Sequence, residues 1–286
     1  QAQDAQGRPM PRLTVASEAS HPVELHFEDY GTGSPVVLIH GWPLSARSWE
    51  AQISPLVAAG HRVIAYDRRG FGESSQPWSG YDYDTFAADL HSLMTQLDLS
   101  DAALVGFSMG GGEVARYIGR YGAARVNRAV LASSVTRCLY RSDSNPEGDR
   151  DDATIASAQG SVTADRLAFL EGFATKFFSA GGTLRVSEAQ RAYTVRTAAA
   201  ASPKGTLDCI AAFGRADFRA DLATFRLPTL VLHGDSDAIV PVEISGARAH
   251  RLIAGSTLTL VPGAPHGFNV SHAAEFNAAL LGFLQR

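Results

Sequence analysis

The sequence predicts an α/β protein: a mostly parallel central sheet with helices on both faces and one inserted helical cap. Two observations predict it. From residue 23 onward, short β-branched apolar runs alternate with longer segments of helical periodicity, as parallel strands joined by helical crossovers require. The alternation stops once, across a polar, turn-rich stretch and a helical region, and then resumes. The core is therefore expected at 23–137 and 217–286, the cap at 138–216 and an N-terminal extension at 1–22.

Taken in order, "VELHFEDYG" reads as an antiparallel edge arm that ends at Gly31 to Gly33, and "PVVLIHG" as a buried strand. A helix follows from Trp49 to Ala58, with Trp49, Ile53, Leu56 and Val57 on its inner face, and then the strand "RVIAYD". In "DTFAADLHSLMTQLDL", Phe86, Leu90, Leu93 and Leu97 share one helical face and Asp84 is placed to cap it. "AALVGF" is the next strand, "GEVARYIGRYG" a helix stopped by Gly122, and "VNRAVLASS" a further strand. In the cap, "YRSDSNPEGDRDD" is polar and the segments after it look helical, without strand-like runs. From Pro228 come strand "TLVLHG", helix "VEISGARAHRLI", strand "TLTLVPG" and a final helix "AAEFNAALLGFL".

A chain of 286 residues, 45% of them apolar, can bury a substantial core. Its 29 acidic and 25 basic residues are scattered, so neither nucleic acid nor an anionic membrane is favoured as a partner. No apolar run approaches the roughly 18 residues of a membrane span. The polar start "QAQDAQGRPMPR" has no initiator methionine and is read as processed or truncated. Export with removal of a signal is the expectation attached to it, which would put the protein in the periplasm or outside the cell; otherwise the cytoplasm is expected. Cys138 and Cys209 form no disulfide framework and lack metal-site spacing, so two buried thiols are expected, with a bridge between them only in an exported protein.

The chemistry concentrates in "LVGFSMGGGEVARY". Its glycines fit neither the dinucleotide spacing nor the phosphate loop, and no lysine follows. They do fit G-x-S-x-G, as Gly106, Ser108 and Gly110 between a strand and a helix, where residues without side chains let a serine occupy a strained, exposed turn. A serine hydroxyl needs a histidine to take its proton and a carboxylate to orient that histidine. "VLHGDSDAIVP" supplies Asp235 and Asp237 after one strand, and "LVPGAPHGF" supplies His266 after the next. His233 with the two aspartates could be read as metal ligands, but a strand-end histidine is more often buried, and no metal is expected.

With "HGWP", "YDRRGFGESS", Gly-Phe-Ser-Met-Gly, "HGDSD" and "GAPHG", the chain resembles the α/β-hydrolases along most of its length. Within them, "YDRRGFGESSQPWSGYDYDTFAADL" and "LVGFSMGGGEVARY" resemble the cofactor-free (non-haem) haloperoxidases, or perhydrolases, and their arylesterase and γ-lactamase relatives. The similarity is dense to about residue 137 and again from 217, and thin in the cap. It implies Ser108 as nucleophile, His266 as base and Asp237 as acid, with Asp235 the alternative acid or else a turn residue. It also implies that the backbone amides of Trp42 and Met109 form the oxyanion hole, and that no cofactor is needed. Relatives usually carry Phe or Tyr at Trp42 and Thr at Gly111, so Trp42, Gly111 and Gly112 are where the pocket is expected to differ.

The resemblance implies an esterase that works through an acyl-enzyme on small-molecule esters, with peracid formation when hydrogen peroxide replaces water. Homo-oligomers occur among such relatives. "HGWP" is also similar to the epoxide hydrolases, whose nucleophile is an aspartate; Ser108 argues against them. Lactam or carbon-carbon bond hydrolysis, or a non-catalytic binding protein on the same scaffold, stay open. "DRRGFGESS" is read as a hydrogen-bonded turn, and "NVS" at 269–271 as a chance sequon.

Overall fold

The computed structural model describes residues 11–286. Among them one sheet is built from β1 (Arg12–Glu18), β2 (His21–Tyr30), β3 (Ser34–Ile39), β4 (His61–Tyr66), β5 (Ala102–Phe107), β6 (Val126–Ala132), β9 (Thr229–Gly234) and β10 (Thr257–Val261). Its spatial order is β1-β2-β4-β3-β5-β6-β9-β10. β1 and β2 run antiparallel to each other and β2 runs antiparallel to β4; every other pairing is parallel.

The strands alternate in what they bury. Along β3, Val36 and Leu38 join one apolar layer, and Val37 and Ile39 the other. The first layer is closed by α1 (Glu50–Ala58) and α11 (Ala273–Leu284), through Leu56, Phe276 and Leu280. The second is closed by α2 (Tyr83–Gln96) and α3 (Met109–Tyr121), through Phe86, Leu90, Leu93, Val114 and Ile118. Period-2 strands and 3.6-period helices thus present matching faces, which places every parallel strand's carboxyl end on one rim.

The N-terminal part corrects two expectations. Residues 12–22 are not an extension outside the sheet, because β1 is its edge strand and pairs with β2 from Arg12 opposite His26 to Glu18 opposite His21. The "VELHFEDYG" strand is consequently second from the edge. Leu13 and Val15 alternate onto the core, a weak period-2 signal inside a polar stretch. The remaining ten residues of the expected extension, and the processed start inferred from them, lie outside the described residues.

The cap leaves the sheet after β6 and consists of α4 (Asp152–Ala164), α5 (Arg166–Phe177), a two-residue hairpin of β7 (Ser179–Ala180) and β8 (Thr183–Leu184), α6 (Glu188–Ala199) and α7 (Pro203–Arg215). Asp151, Asp165, Ser187 and Ser202 cap the four helices through side-chain bonds to backbone amides. The small hairpin, turning at Gly181 and Gly182 with φ of 58° and 75°, is a strand pair that the helical reading lacked. Cys138 and Asp217 pair across an isolated bridge, so the insert departs and returns at one point.

α8 (Arg219–Leu222) leads back to β9. The segment read as one helix after β9 is divided at Ser245, between a short turn at Val242–Ile244 and α9 (Gly246–Leu252). α10 (Phe268–Ser271) follows β10. The cap of α2 is Asp82 and not Asp84: Asp82 accepts the Thr85 amide at 2.9 Å, while Asp84, already inside the first turn, pairs with Arg116 and Arg120. No helix among the described residues is long and apolar enough to cross a membrane.

Candidate active site

Ser108 lies between the end of β5 and the start of α3 with φ 53° and ψ −115°. A non-glycine residue there is strained, and the surroundings hold it. Its amide donates to Ala132 O at 2.8 Å, and its carbonyl accepts from Gly111 N at 3.0 Å and Val135 N at 3.2 Å. A Cβ on Gly106 would collide with the Gly110 carbonyl, and one on Gly110 with the Ile39 carbonyl, so both glycines are required by close approach of backbone.

His266 arrives from the loop after β10. Its Nδ1 lies 2.7 Å from Asp237 Oδ2 and its Nε2 3.0 Å from Ser108 Oγ. A carboxylate only accepts, so Nδ1 carries the proton and Nε2 is left to accept the serine hydrogen. The rings of Phe107 and Phe177 flank the imidazole at 5.2 and 5.0 Å, and Ser133 Oγ donates to the His266 carbonyl at 3.0 Å.

Asp237, in the loop after β9, accepts the Ile239 and Val240 amides on Oδ1 at 2.9 and 2.8 Å. Burial pushes its carboxyl up, but electrostatic interaction and hydrogen bonding with His266 and His233 more than reverse that, so it is held well below the usual carboxylate range. His233 is fully buried, with Nε2 2.8 Å from Val240 O and 3.3 Å from Asp237 Oδ2; its role is packing and hydrogen bonding against that loop. Asp235 is exposed and accepts the Gly263 amide at 2.7 Å, a turn contact away from His266. The structure therefore brings Ser108, His266 and Asp237 together, and leaves Asp235 out.

A cavity of about 800 Å³ opens over this group, lined from the core by Trp42, Ser108, Met109, Val135 and His266 and from the cap by Phe169, Phe173 and Phe213. Among the described residues, the amides of Trp42 and Met109 donate to no protein acceptor. The Trp42 ring meets Phe173, Phe213 and Phe169 edge-on at 5.2, 5.5 and 6.0 Å, and its Nε1 donates to Thr206 O at 3.0 Å, so this side chain docks the cap.

Gly111 and Gly112 do not face this cavity, contrary to the expectation from sequence. A Cβ at 111 would strike Ser134, and one at 112 would lie 2.5 Å from the Tyr83 ring and 2.6 Å from Phe218. Their smallness lets α3 pack against its neighbours. The "DRRGFGESS" loop is a hydrogen-bonded turn: Asp67 accepts the Ala46 and Glu73 amides, both at 2.8 Å, and Arg69 forks onto Asp89 at 2.6 and 2.8 Å. Asn269 of the "NVS" stretch is buried, with its amide on Ser48 O at 3.0 Å. Cys138 and Cys209 are both free and buried.

Sequence reasoning missed two sets of residues. Phe169, Phe173 and Phe177 recur every fourth position along α5, a one-face pattern readable in "FLEGFATKF". Glu113 is wholly buried on α3, a lone acid between Gly112 and Val114, and nothing in the sequence near it names the partner that its burial needs.

A family model described as alpha/beta hydrolase fold matches residues 34–273. The chain is 43% identical over 267 residues to a non-heme chloroperoxidase of Kitasatospora aureofaciens, covering 92% of this chain and 97% of that one. It is 37% identical over 268 residues to a bifunctional esterase/perhydrolase of Acinetobacter calcoaceticus, covering 92% and 96%. The crystal structure of a bromoperoxidase from Bacillus anthracis superposes with a TM-score of 0.94 at 57% identity, covering 96% of this chain and 99% of that one. An esterase from Exiguobacterium antarcticum gives a TM-score of 0.88 at 31% identity, covering 93% and 97%. With the family model spanning most of the chain and these relatives covering nearly all of it, the protein belongs to the α/β-hydrolase family.

Proposed function

We propose that the protein is a serine esterase that transfers small, apolar acyl groups from esters to water, and to hydrogen peroxide when that is present. The observation that carries the reading is the chain of contacts Ser108 Oγ to His266 Nε2 at 3.0 Å and His266 Nδ1 to Asp237 Oδ2 at 2.7 Å. Ser108 Oγ attacks the acyl carbon while His266 Nε2 takes its proton, and Asp237 stabilises the imidazolium that results. The amides of Trp42 and Met109 hold the developing oxyanion. His266 returns the proton to the leaving alcohol, then takes one from water, whose oxygen attacks the acyl-enzyme and frees the acid and Ser108.

Hydrogen peroxide attacking in place of water releases a peracid, and a peracid oxidises halide in solution. That step accounts for the haloperoxidase names among the relatives, and the bifunctional esterase/perhydrolase supports it. The aromatic lining of the cavity supports an apolar acyl group.

The test is p-nitrophenyl acetate hydrolysis by the wild type and Ser108→Ala, with a serine-directed phosphonate as a second probe. A loss of roughly 10³-fold or more with Ser108→Ala, and labelling at Ser108, are expected. Peracid formation from acetate and peroxide should disappear in parallel. Turnover that survives Ser108→Ala, or an unlabelled serine, would overturn the reading.

A further inference from the structure

We propose that Glu113 and Arg68 are positioning residues for the oxyanion site: through His40 they fix the direction of the Trp42 amide and tie it to the helix that carries the Met109 amide. The proposal rests on the esterase reading above. Nothing in that mechanism uses these side chains, yet Glu113, Arg68, His40 and Tyr66 are all essentially inaccessible to solvent and joined into one chain.

The chain begins one turn into α3, where Glu113 sits four residues after Met109. One of its oxygens accepts Arg68 Nε, and the other accepts the Tyr66 hydroxyl at 2.6 Å. With both oxygens accepting, Glu113 is a carboxylate, and a buried guanidinium is its counter-ion. The fork of Arg68 then reaches across to the oxyanion loop, where Nη2 donates to the His40 carbonyl at 2.6 Å. The Arg68 backbone amide donates to His40 Nε2 at 3.0 Å. Because an amide can only donate, Nε2 is bare and the proton sits on Nδ1, which donates to Gly41 O at 2.8 Å. Burial and the adjacent Arg68 hold the His40 imidazole well below the ordinary histidine range, so it stays neutral and keeps this tautomer.

The last link is covalent. Gly41 C=O and Trp42 N–H belong to one trans, planar peptide and point in opposite directions. Anchoring the carbonyl on His40 Nδ1, and on the Leu44 amide at 3.0 Å, therefore aims the N–H the other way. The loop lies directly against the nucleophile, since a Cβ on Gly41 would sit 3.1 Å from Ser108 Cβ. A small rotation of this peptide thus changes the angle at which its N–H meets the oxyanion, and hydrogen bonds weaken steeply with angle.

The experiment compares wild type, Glu113→Gln and the double variant Arg68→Met with Glu113→Leu, each normalised by active-site titration. The double variant replaces a buried ion pair by apolar groups, an exchange that folded proteins often tolerate. The readouts are kcat and KM for p-nitrophenyl acetate, and the affinity for an aryl trifluoromethyl ketone, which forms a tetrahedral oxyanion adduct on serine. A fall of about tenfold in both kcat and ketone affinity, with KM within about twofold, is expected in both variants. A merely structural role would reduce the titratable fraction and leave these constants unchanged, and that result overturns the proposal. Unchanged kcat in the folded double variant overturns it as well. Turnover surviving in Ser108→Ala would remove the esterase reading and this proposal together, whereas Ser108-dependent turnover indifferent to Glu113 removes this proposal alone.

Discussion

At the rim of the sheet, Asp237 accepts two backbone amides on one oxygen and His266 on the other, and Ser108 is bonded through both its amide and its carbonyl. Across the cavity the cap meets the same space with Phe169, Phe173 and Phe213, which hold their places by ring contacts against Trp42. The side chains that line the two surfaces differ in the kind of force that positions them. Hydrogen bonds fix distance and angle, as proton transfer over 3 Å demands; dispersion and burial are non-directional and tolerate repacking. On the proposed function, the core rim carries the reaction and the cap the choice of acyl group.

The largest effect is expected where direction matters most. Asp237→Asn should lower kcat by roughly 10⁴-fold, because an amide NH₂ turned toward His266 Nδ1 favours the wrong tautomer. Asp235→Asn, whose side-chain oxygen can still accept the Gly263 amide, should leave kcat near wild type and cost under about 0.5 kcal/mol of stability. Steady-state kinetics with denaturant melts on both variants check the pair. A larger loss at Asp235 would reverse the assignment of the acid.

The next test moves behind the rim. Gly111→Val forces a branched side chain into Ser134, which is buried and bonded to Thr136 at 2.8 Å, and should cost about 1–3 kcal/mol by overpacking. The ratio of kcat/KM values for short and long acyl esters should stay unchanged in the folded variant, since Gly111 does not line the cavity. A shifted ratio without loss of stability would mean that the pocket reaches further toward α3 than the lining residues indicate.

These contrasts also explain what could be read from the sequence. Strand and helix order was legible because each buried element carries its own period, as β3 and α2 do. The grouping of Ser108 and His266 with an aspartate of "GDSD" was legible because each follows a strand end in its own local motif; that Asp237 and not Asp235 reaches His266 is set by the loop, which turns Asp235 onto the Gly263 amide. β1 was missed because its apolar positions are only half-buried and sit in a polar stretch. Gly111 and Gly112 were misread because what they face, Ser134, Tyr83 and Phe218, is set by tertiary packing far from them in sequence. The Glu113 to Arg68 pair joins residues 45 positions apart, and no spacing rule announces a contact of that separation.

The smallest effect, and the one that bears most directly on the division of labour, is expected from Phe173→Ala. Its ring lies 5.2 Å from Trp42, 5.7 Å from Phe177 and 6.0 Å from Phe169, so removal opens the cap side of the cavity and leaves Ser108, His266 and Asp237 with all their bonds. Contact between one aromatic ring and a bound acyl group is taken as worth about 0.5–1.5 kcal/mol, which sets the scale at roughly tenfold. A short acetate ester, too small to fill the enlarged space, should lose about that factor in kcat/KM through a raised KM, while a benzoate or octanoate ester keeps or gains. If instead kcat fell equally for all esters, the ring would be supporting the geometry around Trp42 as well as shaping the pocket. Directional positioning would then extend from the rim into the cap.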